Sequence, residues 1–299
     1  MPTPSQPFDI PLSLVQKLIQ TQFPAFASLA IQPVMVQGHD NRTFRLGTDL
    51  LVRLPTAHAY ALKVPKEQQI LPFLAKHLTV PIPTPVAMGM PTPDYPFNFS
   101  IYRWIEGESA STLQLDEQAM AGIAHDLATF LEELHRIDSA GGPPPGLHNW
   151  YRGAHVSVYD EQMREQAAGL QGVIDTDAAL TLWQAACTTA WHHPPVWIHG
   201  DLASGNVLIR NQRLAGIIDF GGTGVGDPAC DLTIVWTFLR GKAREIFIEK
   251  VSLDGATWLR AKAWALWKAT FQLCQIEDKK SLPAQVQQKI IQDVLAAGE

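Results

Sequence analysis

The stretch WIHGDLASGNVLI, residues 197–209, places a group of polar side chains between two apolar runs. Asp201 and Asn206 lie five positions apart in it, and Asp219 follows thirteen positions later in IIDFGG. Asp and Asn favour turns in any protein, but the runs NVLIR and AGIIDF predict a hairpin that returns all three side chains to one place. Oxygen ligands of this kind suit Mg²⁺. Phosphoryl transfer needs little from a protein beyond metal ions and a carboxylate that takes a hydroxyl proton.

The segments before this motif are mainly strand-like. The short apolar runs are IQPVMVQ, TFRLG, LLVRLP and FNFSIYRWI, and the turn Gly47-Thr48-Asp49 between the second and third predicts a hairpin. Helical spacing of the apolar residues predicts two helices among them, over residues 12–22 and 65–77. Residues 1–104 are therefore expected to form a β-rich half.

Helical spacing dominates from residue 105 onward. In residues 116–137 the apolar side chains recur at i, i+3, i+4 and i+7, which predicts a helix. The GGPPPG run that follows ends this helix. Trp258, Trp264 and Trp267 share one later helical segment, where such a stripe is usually part of the core. The same spacing predicts further helices at about 157–170, 177–191, 230–240 and 255–275, and in the closing QVQQKIIQDVLAA.

The composition is that of a globular protein with a substantial core, since 46% of the 299 residues are hydrophobic and 17% are charged. No apolar run approaches the ~20 residues of a membrane helix, and the first residues lack a signal-peptide pattern. The three cysteines lack the spacing of a disulfide framework or a zinc site. These features predict a cytoplasmic protein with no membrane partner. The net charge of −6 argues against a nucleic-acid partner, which needs a basic face.

The charge is unevenly distributed along the chain. Residues 1–104 contain 8 Lys and Arg against 5 Asp and Glu, whereas residues 105–299 contain 15 against 24. A half that tolerates phosphates followed by a half that attracts cations would show this pattern, although ordinary surface variation produces it as well.

The motif resembles that of a known fold. HGD at 199–201, Asn206 and Asp-Phe-Gly at 219–221 resemble the catalytic-loop and DFG motifs of the protein-kinase-like fold. HGDLxxGN followed by DFGxxGxGDPxxDL, here DFGGTGVGDPACDL, resembles the aminoglycoside phosphotransferase family of antibiotic and small-molecule kinases. The resemblance continues through QGHDN, LVRLP, KEQQILPFL and YRWIEGES. It implies a two-lobed α+β fold, with an N-terminal β-sheet lobe and one main helix over 1–104 and a larger, mostly helical C-terminal lobe over 105–299.

The resemblance also implies a role for each polar residue of the motif. Asp201 corresponds to the catalytic base that accepts the proton of the substrate hydroxyl. Asn206 and Asp219 correspond to the ligands of Mg²⁺. His199 and Asp231 correspond to residues that support the catalytic loop structurally, and late helices of the family border the acceptor site, so that one or two of the tryptophans are expected to line it.

By the same resemblance, the nucleotide is expected in the first half. QGHDNRTFRLG (37–47) corresponds to the phosphate-covering loop between the first two strands, and Gly38 is the glycine of that loop whose backbone N–H could meet phosphate. Without the downstream motifs, this segment would read equally well as a plain hairpin turn. IYRWIEGES (101–109) resembles the hinge whose backbone reads adenine, and Tyr102 and Trp104 are assigned to it as parts of that segment. Core packing is the alternative role of Trp104.

The third strand departs from the family pattern, which usually has a Lys that holds the α- and β-phosphates and pairs with a Glu of the next helix. In LLVRLP this position is Arg53, and Glu67 is the expected partner. Lys63 in YALKVP is the rival. The predicted hairpin favours Arg53, because a helix that begins just before Lys63 would make Lys63 and Glu67 an ordinary (i, i+4) surface pair. Arginine can bind phosphate oxygens through two donors.

The sequence therefore predicts a Mg²⁺-dependent kinase that moves the γ-phosphate of ATP or GTP to a hydroxyl of a small molecule. The acidic second half favours a cationic, aminoglycoside-type antibiotic as acceptor. A macrolide, against which Asn206 counts, and a metabolic alcohol of the choline, homoserine or sugar type are alternatives, as is a nucleotide-binding pseudokinase without turnover. A protein substrate is disfavoured, since GDPACDL follows DFG too closely for a long activation loop. The oligomeric state, the acceptor and the choice between ATP and GTP stay open.

Overall fold

The computed structural model describes residues 8–35, 38 and 40–296 of the chain. By its internal contacts the chain divides into two compact units. The first unit consists of Met1–Gly107 and Ala215–Gly221, and the second of Glu108–Leu214 and Gly222–Glu299. The chain therefore returns to the first unit for one short segment after the polar motif.

The first unit is built on a five-stranded antiparallel sheet. Its strands are β1 (Ile31–Pro33), β2 (Asn41–Leu46), β3 (Leu50–Pro55), β4 (Pro85–Gly89) and β5 (Phe99–Arg103), in the order β1-β2-β3-β5-β4. Its helices are α1 (Leu12–Gln22), α2 (His58–Ala61) and α3 (Lys63–Leu74). The predicted hairpin is confirmed, because β2 and β3 are neighbours in register and Gly47 in their turn adopts a φ of 61°, which glycine reaches without steric cost.

One face of this sheet packs against α1. Leu46 of β2, Val52 of β3 and Ile101 of β5 are buried in one apolar cluster with Val15 of α1. Successive side chains of a strand point to opposite faces. Arg53, which follows Val52, therefore projects from the other face of the sheet, toward α3.

The second unit is mostly helical. Its helices are α4 (Glu117–Arg136), α5 (Asp160–Gly169), α6 (Thr176–Cys187), α7 (Ile234–Thr237), α8 (Gly241–Val251), α9 (Gly255–Gln275) and α10 (Leu282–Ala296). The strands after Gly107 are short: β6 (Glu108–Ser109), β7 (Val196–Ile198), β8 (Val207–Arg210), β9 (Arg213–Ile217) and β10 (Gly224–Gly226). The antiparallel sheet and the helices after it confirm the predicted α+β class. None of the helices in the described part of the chain combines the length and apolar character needed to cross a membrane.

The single helix predicted over residues 230–240 is wrong. Pro228–Thr233 form a 3₁₀ turn, which Asp227 caps by accepting a hydrogen bond from the N–H of Ala229 at 3.0 Å, and α7 adds only one short turn after it. All six residues of the 3₁₀ turn are buried. Contacts on every side, rather than one apolar helix face, therefore decide how this segment winds.

A buried ion pair connects this turn to α9. Nε of Arg260 donates to Oδ2 of Asp227 at 2.5 Å, and both side chains are almost inaccessible. The hydroxyl of Thr257 accepts a further hydrogen bond from Nη2 of Arg260 at 3.0 Å. Removal of one partner from such a pair leaves an uncompensated buried charge and costs about 3–5 kcal/mol. The pair therefore fixes the position of α9 relative to the turn that contains Asp231.

Candidate active site

Arg53 joins two carboxylates in the first unit. Its Nη1 lies 3.3 Å from Oε1 of Glu67, and its Nη2 lies 2.6 Å from Oδ1 of Asp219. The hydroxyl of Tyr102 donates to the other oxygen of Glu67 at 2.5 Å. Burial by itself would lower the pKa of Arg53, but Asp219 and Glu67 raise the pKa above its usual value, so the guanidinium stays charged. The structure thus brings Arg53, Glu67 and Tyr102 together, and it adds Asp219 to them.

Lys63 does not form the expected surface pair with Glu67. It is the first residue of α3, but its Nζ lies 2.9 Å from Oδ2 of Asp40, and its side chain is only 12% exposed. Glu67 is itself buried and already bound by Arg53 and Tyr102. The expectation was wrong because helix spacing gives the distance along α3 and not the partner that the rest of the unit supplies.

Asp219 has an unusual backbone and a second cation nearby. Its φ is 66°, in the left-handed region that Asp tolerates better than most residues, so its carboxylate leaves the strand in a direction an extended residue would not reach. Nζ of Lys66 donates to the carbonyl oxygen of Gly221, two residues on, at 2.9 Å. Burial lowers the pKa of Lys66 to about 7. The sequence analysis missed Lys66, since it sits beside Glu67 as an ordinary helix residue would.

The loop that contains Asp201 is supported by a fully buried carboxylate in the second unit. The two oxygens of Asp231 accept the backbone N–H groups of His199 and Gly200, each at 2.7 Å. Burial raises the pKa of Asp231 above its usual value, and these contacts oppose that shift only in part. Nδ1 of His199, also buried, accepts the N–H of Asp201 at 3.2 Å. Gly200 has a φ of 83°, and a side chain there would meet the carbonyl oxygen of Gly222. Both residues expected to support the loop, His199 and Asp231, therefore contact it.

Asn206 lies in the same loop as Asp201. Its Nδ2 donates to the carbonyl oxygen of Asp201 at 2.9 Å, at the end of a short 3₁₀ turn. This bond uses the amide nitrogen, so the amide oxygen is the atom that a cation would meet. Asp219, the other expected ligand, is an oxygen donor of the first unit, and the expectation that all three residues meet stays a prediction.

A lysine that the sequence analysis missed holds the carboxylate of Asp201. Nζ of Lys268, on α9, lies 2.5 Å from Oδ1 of Asp201. The one hint in the sequence is that Lys268 follows Trp264 by four positions and so shares its helix face. A recess beside Asp201 is lined by Arg152, Lys268, Trp264 and Trp267 among others.

The tryptophans of α9 divide between core and recess. Trp264 and Trp267 are 2% exposed and line the recess. Trp258 contacts the ring of Trp236 with 6.3 Å between ring centroids. Two of the three therefore border the space beside Asp201.

Two further residues assigned to nucleotide binding, Trp104 and Gly38, also belong to the first unit. The backbone N–H of Trp104 donates to the carbonyl of Asp49 at 2.8 Å, and the guanidinium of Arg45 lies 3.9 Å from the centroid of its indole ring. Gly38 is exposed, and its carbonyl accepts from Arg42 at 2.9 Å. Residues 36, 37 and 39 of the same segment lie outside the described residues. The roles of Gly38, Tyr102 and Trp104 toward a nucleotide stay predictions.

The donor set suits a magnesium ion that arrives with a nucleotide. Within residues 8–35, 38 and 40–296, no group of three or more His, Cys, Asp or Glu side chains forms a dedicated metal cluster. Mg²⁺ rarely uses one, because it takes one or two carboxylates together with water and substrate phosphates. Asp219 and Asn206 offer oxygen atoms of the kind that this ion prefers.

Comparisons with known proteins agree with this chemistry. The family model described as the phosphotransferase enzyme family matches residues 33–264. An aminoglycoside 3'-phosphotransferase of Escherichia coli is 28% identical over 201 residues, which are 64% of this chain and 69% of that protein.

Solved structures show the same fold. The GDP and kanamycin complex of APH(2")-IIia has a TM-score of 0.73 at 21% identity, over 95% of this chain and 99% of that chain. The streptomycin-ATP-APH(2")-IIa ternary complex has a TM-score of 0.60 at 21% identity, over 96% and 97%. These likenesses confirm the expected protein-kinase-like fold.

Proposed function

We propose that Asp201 is the base with which this chain transfers the γ-phosphate of ATP or GTP to a hydroxyl group. The chain belongs to the phosphotransferase enzyme family and is a small-molecule kinase, since the family match covers most of its length. The observation that carries this proposal is the position of the Asp201 carboxylate. It lines a recess of the second unit, on a loop that the buried Asp231 fixes through two backbone hydrogen bonds. A base must be held in place in this way to take a proton from a bound hydroxyl.

The proposed step conserves every atom and electron pair. The hydroxyl oxygen of the acceptor attacks the γ-phosphorus and forms a new P–O bond, while the bond from the γ-phosphorus to the β,γ-bridging oxygen breaks. ADP or GDP leaves with that oxygen. The carboxylate of Asp201 takes the hydroxyl proton and later releases it to solvent.

Asn206 and Asp219 are the residues that would hold Mg²⁺. When bound, the ion would neutralise charge on the phosphate oxygens. Asp219 reaches this role already paired with Arg53, and Asn206 is oriented by its bond to the backbone of Asp201. Both side chains are thus positioned by neighbours within their own unit.

The first unit would bind the nucleotide, the role that the sequence analysis assigns to residues 1–104. Arg53 takes the place that Lys has in most of the family, and Glu67 and Tyr102 orient it. Gly38 would contact phosphate through its backbone, and the segment with Tyr102 and Trp104 would border the base. Arg53 presents its guanidinium in a recess that it shares with Lys63 and Glu67.

The names of the relatives support an aminoglycoside as acceptor, since one is an aminoglycoside 3'-phosphotransferase and two solved structures contain kanamycin and streptomycin. This class is therefore the first to test. Macrolides and metabolic alcohols are the other acceptor classes. A pseudokinase that binds nucleotide without turnover is the rival from another class.

The test measures release of ADP and GDP by the purified protein with Mg²⁺ across aminoglycosides, macrolides, amino alcohols, sugars and hydroxy acids. We expect release that depends on one acceptor class and disappears in Asp201→Asn, while nucleotide still raises the unfolding temperature of that variant. Asp293→Asn, on the surface of α10, is the matched control and should keep full activity. Nucleotide binding without acceptor-dependent release would contradict the proposal and favour the pseudokinase.

A further inference from the structure

The recess beside Asp201 has a cationic and aromatic lining. Its charged side chains are Arg152, Lys268 and Asp201, and the last two form an ion pair at 2.5 Å. Trp264 and Trp267 supply indole walls. One carboxylate therefore faces two cations, and the lining has a net positive charge.

Two hydrogen-bond donors of this lining have no partner among the described residues. They are Nη1 of Arg152 and Nε1 of Trp264, and both atoms are buried. The N–H groups of guanidinium and indole can only donate. A buried donor without an acceptor costs about 1–3 kcal/mol, and buried polar groups in folded proteins are nearly always paired. The recess thus offers two donors that have no acceptor among the described residues.

The indole rings fix the guanidinium of Arg152. Its central carbon lies 4.8 Å from the ring centroid of Trp267 and 5.3 Å from that of Trp264. Both indoles thus contact the guanidinium, while its Nη1 has no acceptor among the described residues.

We infer that the recess takes an anionic acceptor, an alcohol that carries a carboxylate. This inference rests on the proposed function, because it assumes that the alcohol presents its hydroxyl to Asp201. A carboxylate would accept hydrogen bonds from Arg152 and Trp264, and carboxylates pair well with the fork of guanidinium donors.

The same lining disfavours a polycation. An ammonium group in the recess would meet Arg152 and Lys268 at close range, where like charges repel most strongly. The acidic character of residues 105–299 as a whole does not offset this, because exposed charges more than about 10 Å away are largely screened. The acidic half pointed to an aminoglycoside in the sequence analysis, whereas the residues at the site point to an acid.

A matched pair of probes tests this inference on the full-length protein. 3-Phenyllactate and phenylalaninol share a phenyl ring and a hydroxyl group but carry opposite charges. Isothermal titration calorimetry with Mg²⁺ and ADP present should give a dissociation constant for 3-phenyllactate about tenfold or more below that for phenylalaninol. Equal affinities, tighter binding of phenylalaninol or absence of binding by both would overturn the inference.

Two variants assign the binding to this recess. Arg152→Gln should weaken the binding of 3-phenyllactate about tenfold. Trp264→Phe, which keeps an aromatic ring but removes Nε1, should weaken it a few-fold. Trp258→Phe, on the same helix but against Trp236, and Arg213→Gln, on an exposed side chain, are the controls. Circular dichroism verifies that all variants are folded. Unchanged affinity in both Arg152→Gln and Trp264→Phe would show that the anion binds elsewhere.

Failure of the proposed function would look different. In that case 3-phenyllactate would bind with the expected preference, but neither it nor any other alcohol would release ADP or GDP. Release with aminoglycosides alone, together with no preference for the acid, would keep the kinase and overturn the anionic acceptor.

Discussion

Nζ of Lys268 and Oδ1 of Asp201 lie 2.5 Å apart, although the two residues are 67 positions apart in the chain. Their side chains are 23% and 42% exposed, so the pair stays in contact with solvent. A hydrogen-bonded cation at this distance restricts the rotation of the carboxylate. A base that takes a proton from a bound hydroxyl must be held in place. We therefore expect Lys268 to act as a positioning residue for Asp201.

Replacement of Lys268 by Met should lower kcat about tenfold or more, with little effect on the KM for nucleotide. The reason is that the Asp201 carboxylate loses the partner that fixes its position. Initial rates across a series of nucleotide concentrations, with the acceptor found in the panel above, measure both quantities.

Two further lysine variants separate positioning from packing. Lys268→Arg keeps the positive charge and should recover most of kcat. Lys262→Met, on the same helix, should leave kcat unchanged. A kcat for Lys268→Met equal to that of the natural protein would reduce Lys268 to a structural role.

The KM for nucleotide distinguishes the role of Arg53 from that of Lys63. Arg53→Ala should raise the KM for nucleotide about tenfold or more, since it removes the guanidinium that Glu67 and Asp219 hold between them. Lys63→Ala should change this KM little, because Lys63 pairs with Asp40. Steady-state kinetics at saturating acceptor give both values.

Stability must be followed alongside these kinetics. Glu67 is 3% exposed, and loss of Arg53 leaves a buried carboxylate whose side-chain hydrogen-bond partner among the described residues is Tyr102. Arg53→Lys keeps a charge there and should be intermediate in both KM and stability. A larger rise in KM for Lys63→Ala than for Arg53→Ala would assign the phosphate-binding role to Lys63.

His135 of α4 makes stability depend on pH. Burial lowers its pKa from 6.5 to about 4, and its Nε2 has no hydrogen-bond partner among the described residues. Between these two values the unfolded chain binds a proton that the folded protein does not, so the free energy of unfolding falls as pH falls through this window. Above about pH 6.5 both states are neutral at this residue, and the contribution is constant.

His135→Leu should therefore raise the free energy of unfolding more at about pH 5 than at about pH 7.5. Urea denaturation at the two pH values measures the difference. His125→Leu is the matched control, because His125 lies on the same helix with a side chain that is 58% exposed, and its effect should not depend on pH in this way. A gain from His135→Leu that is equal at both pH values would show that burial does not shift this pKa.

Local patterns were sufficient for much of the fold and for part of the candidate site. The period of apolar residues predicted α4 and α9 closely, and turn chemistry predicted the hairpin of β2 and β3. Strand alternation places Arg53 on the face toward Glu67, and the two do pair. These features depend on residues near one another in the chain, or on one sheet and the helix packed against it.

The same patterns did not predict the partners of several charged residues. Helix spacing suggested Glu67 as the partner of Lys63, but Lys63 pairs with Asp40 instead. Apolar periodicity suggested a helix over 230–240, but a 3₁₀ turn buried on all sides takes its place. In both cases contacts from distant parts of the chain outweigh a weak local preference.

The sequence by itself identified the family, since the motifs HGDLxxGN and DFGxxGxGDPxxDL contain Asp201, Asn206 and Asp219 at the spacing that the family has. Only the tertiary structure decided what surrounds Asp201. Lys268 and Arg152 come from segments far along the chain on either side, and the sequence offers only the spacing of Lys268 from Trp264 as a hint of a contact with the recess. The physical reason is that residue type and spacing are properties of a short segment, whereas the charge of a recess is the sum of side chains that packing brings together.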